Sequence, residues 1–192
     1  MTAERQQGVI AAGSAATAQA GAHILRGGGN AVDAAVAAML ASFVAEPLLT
    51  GLGAGGYMLV GGAGREPQLL DFFVEAPGRR GEGELGRIEV DFGDAMQSFF
   101  IGPASCGVYG NPAGVCEAAR RWGTRALGEL AAPAIALAEE GVALDASHSY
   151  VAEILTDLLS STPECAALWA PSGSILREGE IVSDPDLAPA LR

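Results

Sequence analysis

Histidine and cysteine are scarce in this chain and basic side chains are outnumbered by acidic ones, and each shortage removes a class of function. The two histidines, His23 and His148, have no cysteine or second histidine at metal-ligand spacing, so no metal site is expected and each reads as a helix-surface or capping residue. Cys106, Cys116 and Cys165 form no CxxC pair and leave one thiol over under any single disulfide, which favours reduced cysteines. Cys106 and Cys116 have no sequence cue for a neighbouring base and read as ordinary buried thiols. Eleven Lys and Arg stand against 23 Asp and Glu, a net charge of −12, and that field repels a phosphate backbone. Nucleic acid is excluded as a partner. Long hydrophobic runs are missing too. The apolar stretch around Val36 is interrupted by Asp33 and Glu46, short of the roughly 20 residues that a bilayer span needs. The opening MTAERQQGVIAAG carries polar residues where a secretory signal places its apolar run, so a cytoplasmic location is expected.

What is present suffices for a folded domain: 192 residues, 49% of them hydrophobic. Val9 to Ala12 reads as a short buried strand. Ser14 then caps a helix to about Arg26, which Gly27, Gly28 and Gly29 end. Asn30 caps a second helix with Asp33 in its first turn, where the positive end of the helix dipole favours a carboxylate. Val32, Val36, Met39, Leu40 and Phe43 share one face of it and alanines fill the rest, so this helix belongs in the interior. Tyr57 to Val60 and Gln68 to Ala76 read as two strands of a hairpin, and Pro77 to Gly93 as an exposed, mobile loop. Helices follow near Val115 to Trp122 and Leu130 to Glu140, the latter starting, kinking or restarting at Pro133 and closed by Gly141. Asp145 caps another with a continuous apolar face from Val151 to Leu159, and short helices are expected near Trp169 and at APALR.

Isolated motifs say little about chemistry. Gly51, Gly53 and Gly56 fit GxGxxG, but a dinucleotide site needs a strand before the glycines and a helix after them, and here the order is reversed. A packing role is the better reading, and no cofactor is expected. There is no GxSxG elbow. Thr2 would become an N-terminal threonine on removal of Met1, but its polar flank TAERQQ argues against a preorganised site.

Several segments taken together are more specific. GGGNAVDAAVAAMLASFVAEP, TGLGAGGYMLV, LLDFFVEAPG, GVYGNPAGVCEAARRWG, APAIALAEEGVAL and LREGEIVSDPDLAPALR occur in that order and cover almost the whole chain. In residue choice and order they resemble the N-terminal region of the large subunit of γ-glutamyltranspeptidases. The resemblance implies an α+β fold, part of the αββα sandwich of N-terminal-nucleophile hydrolases. Only three or so strands can be placed, so this portion, a single incomplete domain over residues 1–192, is expected to be mostly helical with an incomplete sheet and apolar surface for the remainder to cover. In the family, a precursor cuts itself into two subunits, and the new N-terminal threonine of the small one attacks a γ-glutamyl amide with its own α-amine as base. Backbone donors stabilise the oxyanion. Those groups would lie beyond Arg192, so no catalytic residue is expected here; Thr17, Thr50, Thr124, Thr156 and Thr162 do not sit in such a processing motif.

The resemblance also exposes a substitution in the substrate-binding set. The family places an arginine after the LDF strand motif to hold the substrate's α-carboxylate through a bidentate pair. Aligned through Leu70, Asp71 and Phe72, that position is Phe73. Arg79 and Arg80 follow closely enough to be candidates for the same pocket. Tyr109 precedes Gly110 and Asn111 where the family has a glycine-proline run. The implied function is the N-terminal portion of a γ-glutamyltransferase-like amidohydrolase of glutathione metabolism, inactive by itself. Its partners would be a small-molecule γ-glutamyl or related amide and the missing C-terminal part or small subunit. The alternatives are a non-catalytic binding or assembly module, or a family member acting on other amides because of Phe73.

Overall fold

The hydroxyl of Ser14 accepts the Thr17 N–H at 3.1 Å and so starts α1, Ala15–Arg26. The glycines after it allow the chain to reverse, with Gly28 at φ +85, a region that side-chain-bearing residues avoid. A reciprocal capping box opens α2, Ala31–Ala45: Asn30 Oδ1 accepts the Asp33 N–H and Asp33 Oδ2 accepts the Asn30 N–H, both at 2.8 Å. The structure is a computed structural model that describes residues 8–62, 64–78 and 83–192. Beyond α2 it contains β1 (Gly56–Gly62), β2 (Arg65–Phe72), β3 (Gly86–Asp91), β4 (Met96–Ile101), α3 (Asn111–Trp122) and α4 (Leu127–Glu140). These are followed by β5 (Val142–Ala143), α5 (Ala146–Ile154), α6 (Thr156–Leu159), α7 (Pro163–Trp169), β6 (Ile181–Val182) and α8 (Leu187–Leu191). The elements form two compact units.

The first unit holds α1, α2, β1, β2, α3, α4 and α8, with α2 at its centre and α1, α3 and α4 packed on it. Val36, Ala37 and Ala41 of α2 are wholly buried. Small residues set how near the helices come: a Cβ on Gly21 of α1 would lie 2.8 Å from the Ala34 carbonyl oxygen of α2. The β1–β2 hairpin is antiparallel, pairing Tyr57 with Asp71, Met58 with Leu70 and Leu59 with Leu69. Alternation therefore gives it two faces. Leu70 and Phe72 are buried, and Phe72 meets α3 at Gly114, while Tyr57, Leu59 and Leu69 are exposed on the other face. Burying a side chain such as Phe72 contributes about 1.5–3 kcal/mol. Along α4 the helix runs through Pro133, which lacks the N–H that would close one turn, and the chain leaves it through Gly141 at φ +74. Arg192 after α8 pairs with Glu139 of α4.

In the second unit β3 and β4 form an antiparallel hairpin from Gly86 opposite Ile101 to Asp91 opposite Met96. β5 pairs with β6, and Leu144, Ala152, Leu159, Trp169, Leu176 and Val182 are its buried apolar residues from 141 onward. Asp145 caps α5 by accepting the His148 N–H at 2.8 Å, and Thr162 caps α7 through the Cys165 N–H at 3.2 Å.

Four local expectations change. Val9 to Ala12 is not a strand: no regular element covers it, no strand among the described residues pairs with it, and Val9 is 97% exposed. The expected second hairpin strand stops at Phe72, where Asp71 Oδ1 accepts the Phe73 N–H at 3.0 Å and turns the chain. The expected loop from 77 to 93 contains β3, whose alternating Ile88 and Val90 find partners in β4 although glycine and charge surround them. The described residues thus hold six strands, in three separate antiparallel pairs. The apolar face from Val151 to Leu159 is interrupted at Leu155, where the Thr156 hydroxyl donates back to the Glu153 carbonyl at 2.7 Å, and α5 gives way to α6.

Candidate functional site

Phe73 leaves β2 at the edge of the exposed hairpin face and stacks on Tyr57, with ring centroids 5.3 Å apart and planes 9° from parallel. Both rings stay open, Phe73 at 53% and Tyr57 at 57% exposure. Asp71 lies directly across from Tyr57, and its bond to the Phe73 N–H holds the backbone beneath the second ring. Asp71, Tyr57 and Phe73 are thereby gathered on one surface. Arg79 and Arg80, the other candidate substrate contacts, lie outside the described residues.

Behind this hairpin the start of α3 ties down the glycine-rich turn. Asn111 is 2% exposed; its Nδ2 donates to the Gly51 carbonyl at 2.6 Å, and the Gly110 and Asn111 N–H groups both reach the Ala54 carbonyl, at 3.1 and 3.0 Å. Its Oδ1 is buried without a hydrogen-bond partner among the described residues. The GxGxxG glycines follow a helix and precede a strand, and α3 clamps the turn they make. Asp33 is fully buried, yet it accepts from Asn30, from Arg125 and twice from Thr124. Burial pushes its carboxyl upward, but the Thr124 hydroxyl and the Asn30, Thr124 and Arg125 N–H groups outweigh this and hold it below the ordinary value.

Four described threonines already have structural tasks. Thr17 donates to the buried Glu46 at 2.6 Å, Thr124 to Asp33, Thr156 to the α5 carbonyls, and Thr162 caps α7. His148 is buried rather than on a helix surface; its Nδ1 lies 2.9 Å from Asp145 Oδ1 at the start of α5. The His148 N–H, and then its ring, hold the Asp145 carboxyl below its usual range. The cysteines correct the expectation of buried thiols: all three are free, and Cys106 and Cys116 are exposed. Cys116 sits on the outward side of an amphipathic helix whose buried positions are Asn111, Gly114, Val115 and Ala118, a phase that a lone cysteine does not announce. A groove lined by His23, Ile24, Gly27, Glu129 and Pro133 offers little free chemistry, since Arg125 engages both Glu129 and the Gly27 carbonyl. No cluster of three or more metal-ligating side chains occurs among the described residues.

The family model for γ-glutamyltranspeptidase matches residues 17–192, from within α1 to the end of the chain. This chain belongs to the γ-glutamyltranspeptidase family. It is 33% identical over 190 residues to a glutathione hydrolase proenzyme of Bacillus subtilis, a match covering 95% of this chain and 31% of that protein. It is also 33% identical to the acylase ACY 1 proenzyme of a Pseudomonas species, over 99% of this chain and 35% of the relative. The crystal structure of Helicobacter pylori γ-glutamyltranspeptidase superposes with a TM-score of 0.80 at 26% identity, covering 96% of this chain and 52% of that one. The chain corresponds to the N-terminal part of γ-glutamyltranspeptidase proenzymes and spans about a third of the length of the two curated relatives. Its fold is the α+β fold of the N-terminal-nucleophile hydrolases, here with an incomplete sheet.

Within this γ-glutamyltranspeptidase portion, sequence reading singled out Phe73 but missed Tyr57 and Asp71 as its companions. The signal was present, since period-two alternation along YMLV and QLLDF puts Tyr57 and Asp71 on one face; the register that makes them opposite each other was not. Asn111 was noticed only as a departure from proline, and its buried amide bond to Gly51 carries no sequence signature.

Proposed function

We propose that this chain is the N-terminal portion of a γ-glutamyltransferase-like amidohydrolase, a single incomplete domain that supplies structural core and one wall of the substrate pocket. The observation that carries this reading is the family match over residues 17–192 of a chain that spans 31% of its Bacillus relative. The nucleophile is a threonine of the remaining polypeptide, whose α-amine serves as base while the acyl group passes from the amide nitrogen to the threonine oxygen, and then to water or an amine. The structural tasks of Thr17, Thr124, Thr156 and Thr162 fit that division. On this reading the exposed apolar residues of the β1–β2 hairpin face the remainder of the enzyme and its substrate. Three free thiols suit a reducing compartment, and a cytoplasmic location is part of the proposal. No helix among the described residues is long and apolar enough to cross a membrane.

A second reading concerns the amide. Phe73 cannot form the bidentate ion pair by which an arginine holds an α-carboxylate. It therefore favours amides other than γ-glutamyl ones, and the Pseudomonas relative is named an acylase. The deciding experiment compares the purified chain with the chain co-expressed with the polypeptide that completes it, on γ-glutamyl anilides and other amides. The chain alone should show no turnover and the complete protein should show it. Turnover by the chain alone would sink the proposed division of labour.

A further inference from the structure

We propose that the Tyr57–Phe73 stack is the floor of an acyl-binding subsite that accepts an uncharged, apolar acyl group and disfavours acyl groups carrying a carboxylate. This rests on the reading that the β1–β2 hairpin forms one wall of the substrate pocket. The two rings, 5.3 Å apart and almost parallel, present a continuous flat apolar surface, and both are about half exposed. The Asp71 bond to the Phe73 N–H fixes the second ring's backbone, so the platform is preorganised and loses little freedom when a ligand covers it. Leu59 and Leu69, paired across the strands and exposed, extend the same face.

Charge complementarity selects the occupant. Asp71, exposed and directly across from Tyr57, puts a negative charge on this face of the paired strands. A substrate carboxylate lying on the two rings would approach the Asp71 carboxylate, which repels it. A phenyl or branched aliphatic acyl group loses nothing by leaving water and gains an aromatic face on which to stack. The chemistry assigned is therefore an aryl- or alkyl-acyl amide without an α-carboxylate, whose acyl group lies on Phe73 and Tyr57 while the amide carbonyl points to the nucleophile.

In the complete enzyme, kcat/KM for phenylacetyl-p-nitroanilide is expected to exceed that for γ-glutamyl-p-nitroanilide by at least about tenfold. Tyr57→Ala and Phe73→Ala, both changes of exposed side chains, should lower phenylacetyl turnover by about ten- to a hundredfold. Phe73→Arg should move the preference toward the γ-glutamyl substrate. A wild-type preference for γ-glutamyl, or phenylacetyl turnover untouched by both alanine changes, overturns the subsite while leaving the amidohydrolase reading intact. A complete enzyme that turns over no amide overturns the amidohydrolase reading instead. In that event NMR of the 192-residue chain decides the subsite separately: phenylacetamide should perturb the Tyr57 and Phe73 ring signals and glutamine should not, and equal or absent perturbation overturns it.

Discussion

Asp33 and Thr124 are 91 positions apart in sequence, yet Asp33 Oδ2 accepts the Thr124 hydroxyl at 2.5 Å and Oδ1 accepts the Thr124 N–H at 2.8 Å. The same carboxylate closes the capping box of α2, and Asn30 Nδ2 donates to the Trp122 carbonyl at 2.7 Å. One buried group thus ties the start of the central helix to the turn between α3 and α4. Asp33→Asn keeps the shape but replaces one acceptor oxygen with a donor facing other donors. It should destabilise the first unit by about 2–3 kcal/mol near neutral pH, read from urea unfolding. Thr124→Val should cost less, and the double variant should fall short of the sum because the two changes remove the same bond.

The pH dependence of that node has a definite sign. The Asp33 carboxyl is held below its ordinary value of 3.8 in the folded chain. Its contribution is therefore fully present above the unfolded-state value and is lost as pH falls through the folded one. Thermal midpoints of the native chain should drop on acidification below about pH 4, and the Asp33→Asn variant should show a shallower acid limb. Identical acid limbs in the two proteins would show that Asp33 does not carry the linkage.

Gly114 sets two local effects against each other. Alanine is a better helix former than glycine by about 1 kcal/mol, which would stabilise α3. A Cβ at 114 would, however, come within 2.2 Å of Phe72 Cγ, and Phe72 is a buried ring on a paired strand. Overpacking of this kind costs about 1–3 kcal/mol, so Gly114→Ala should destabilise despite its propensity. Adding Phe72→Leu should recover part of the loss. A stabilised single variant in denaturant titration would mean that the hairpin and α3 can move apart freely.

Thr17 and Glu46 make the corresponding link at the other end of α2. The Thr17 hydroxyl donates to Glu46 Oε1 at 2.6 Å, and both side chains are buried. Thr17→Val removes the donor without changing size much and leaves the carboxylate short of a partner, a loss of about 1–3 kcal/mol. Thr17→Ser should retain most of the stability. Equal stability of the Val and Ser variants would show that the hydroxyl contributes nothing there.

Thiol accessibility tests the cysteine placement directly. In the folded 192-residue chain Cys106 and Cys116 should react with a chromogenic disulfide reagent ahead of the half-buried Cys165. Mass-spectrometric localisation of the label gives the order. Labelling of Cys165 first would contradict the packing of α7.

The sequence by itself determined most of the helices and the family. Ser14, Asn30, Asp145 and Thr162 are short polar side chains that satisfy helix N–H groups from within three residues, and the first three of these caps are legible in the sequence alone. α2, apolar except for Asp33 and Ser42, likewise announced its own burial, since a helix without a polar face has nowhere else to go. Local chemistry of this kind is written in neighbouring residues. Tertiary structure decided what depends on partners distant in sequence. The pairing of β3 with β4 drew a strand out of a glycine-rich stretch, and Val9, with no strand among the described residues beside it, is exposed. Register set Tyr57 against Asp71, the Asp71 turn brought Phe73 onto the Tyr57 ring, and Asp33 found Thr124 across 91 positions. Each of these contacts follows from how backbones align across a gap, and residue choice within a segment does not encode that alignment.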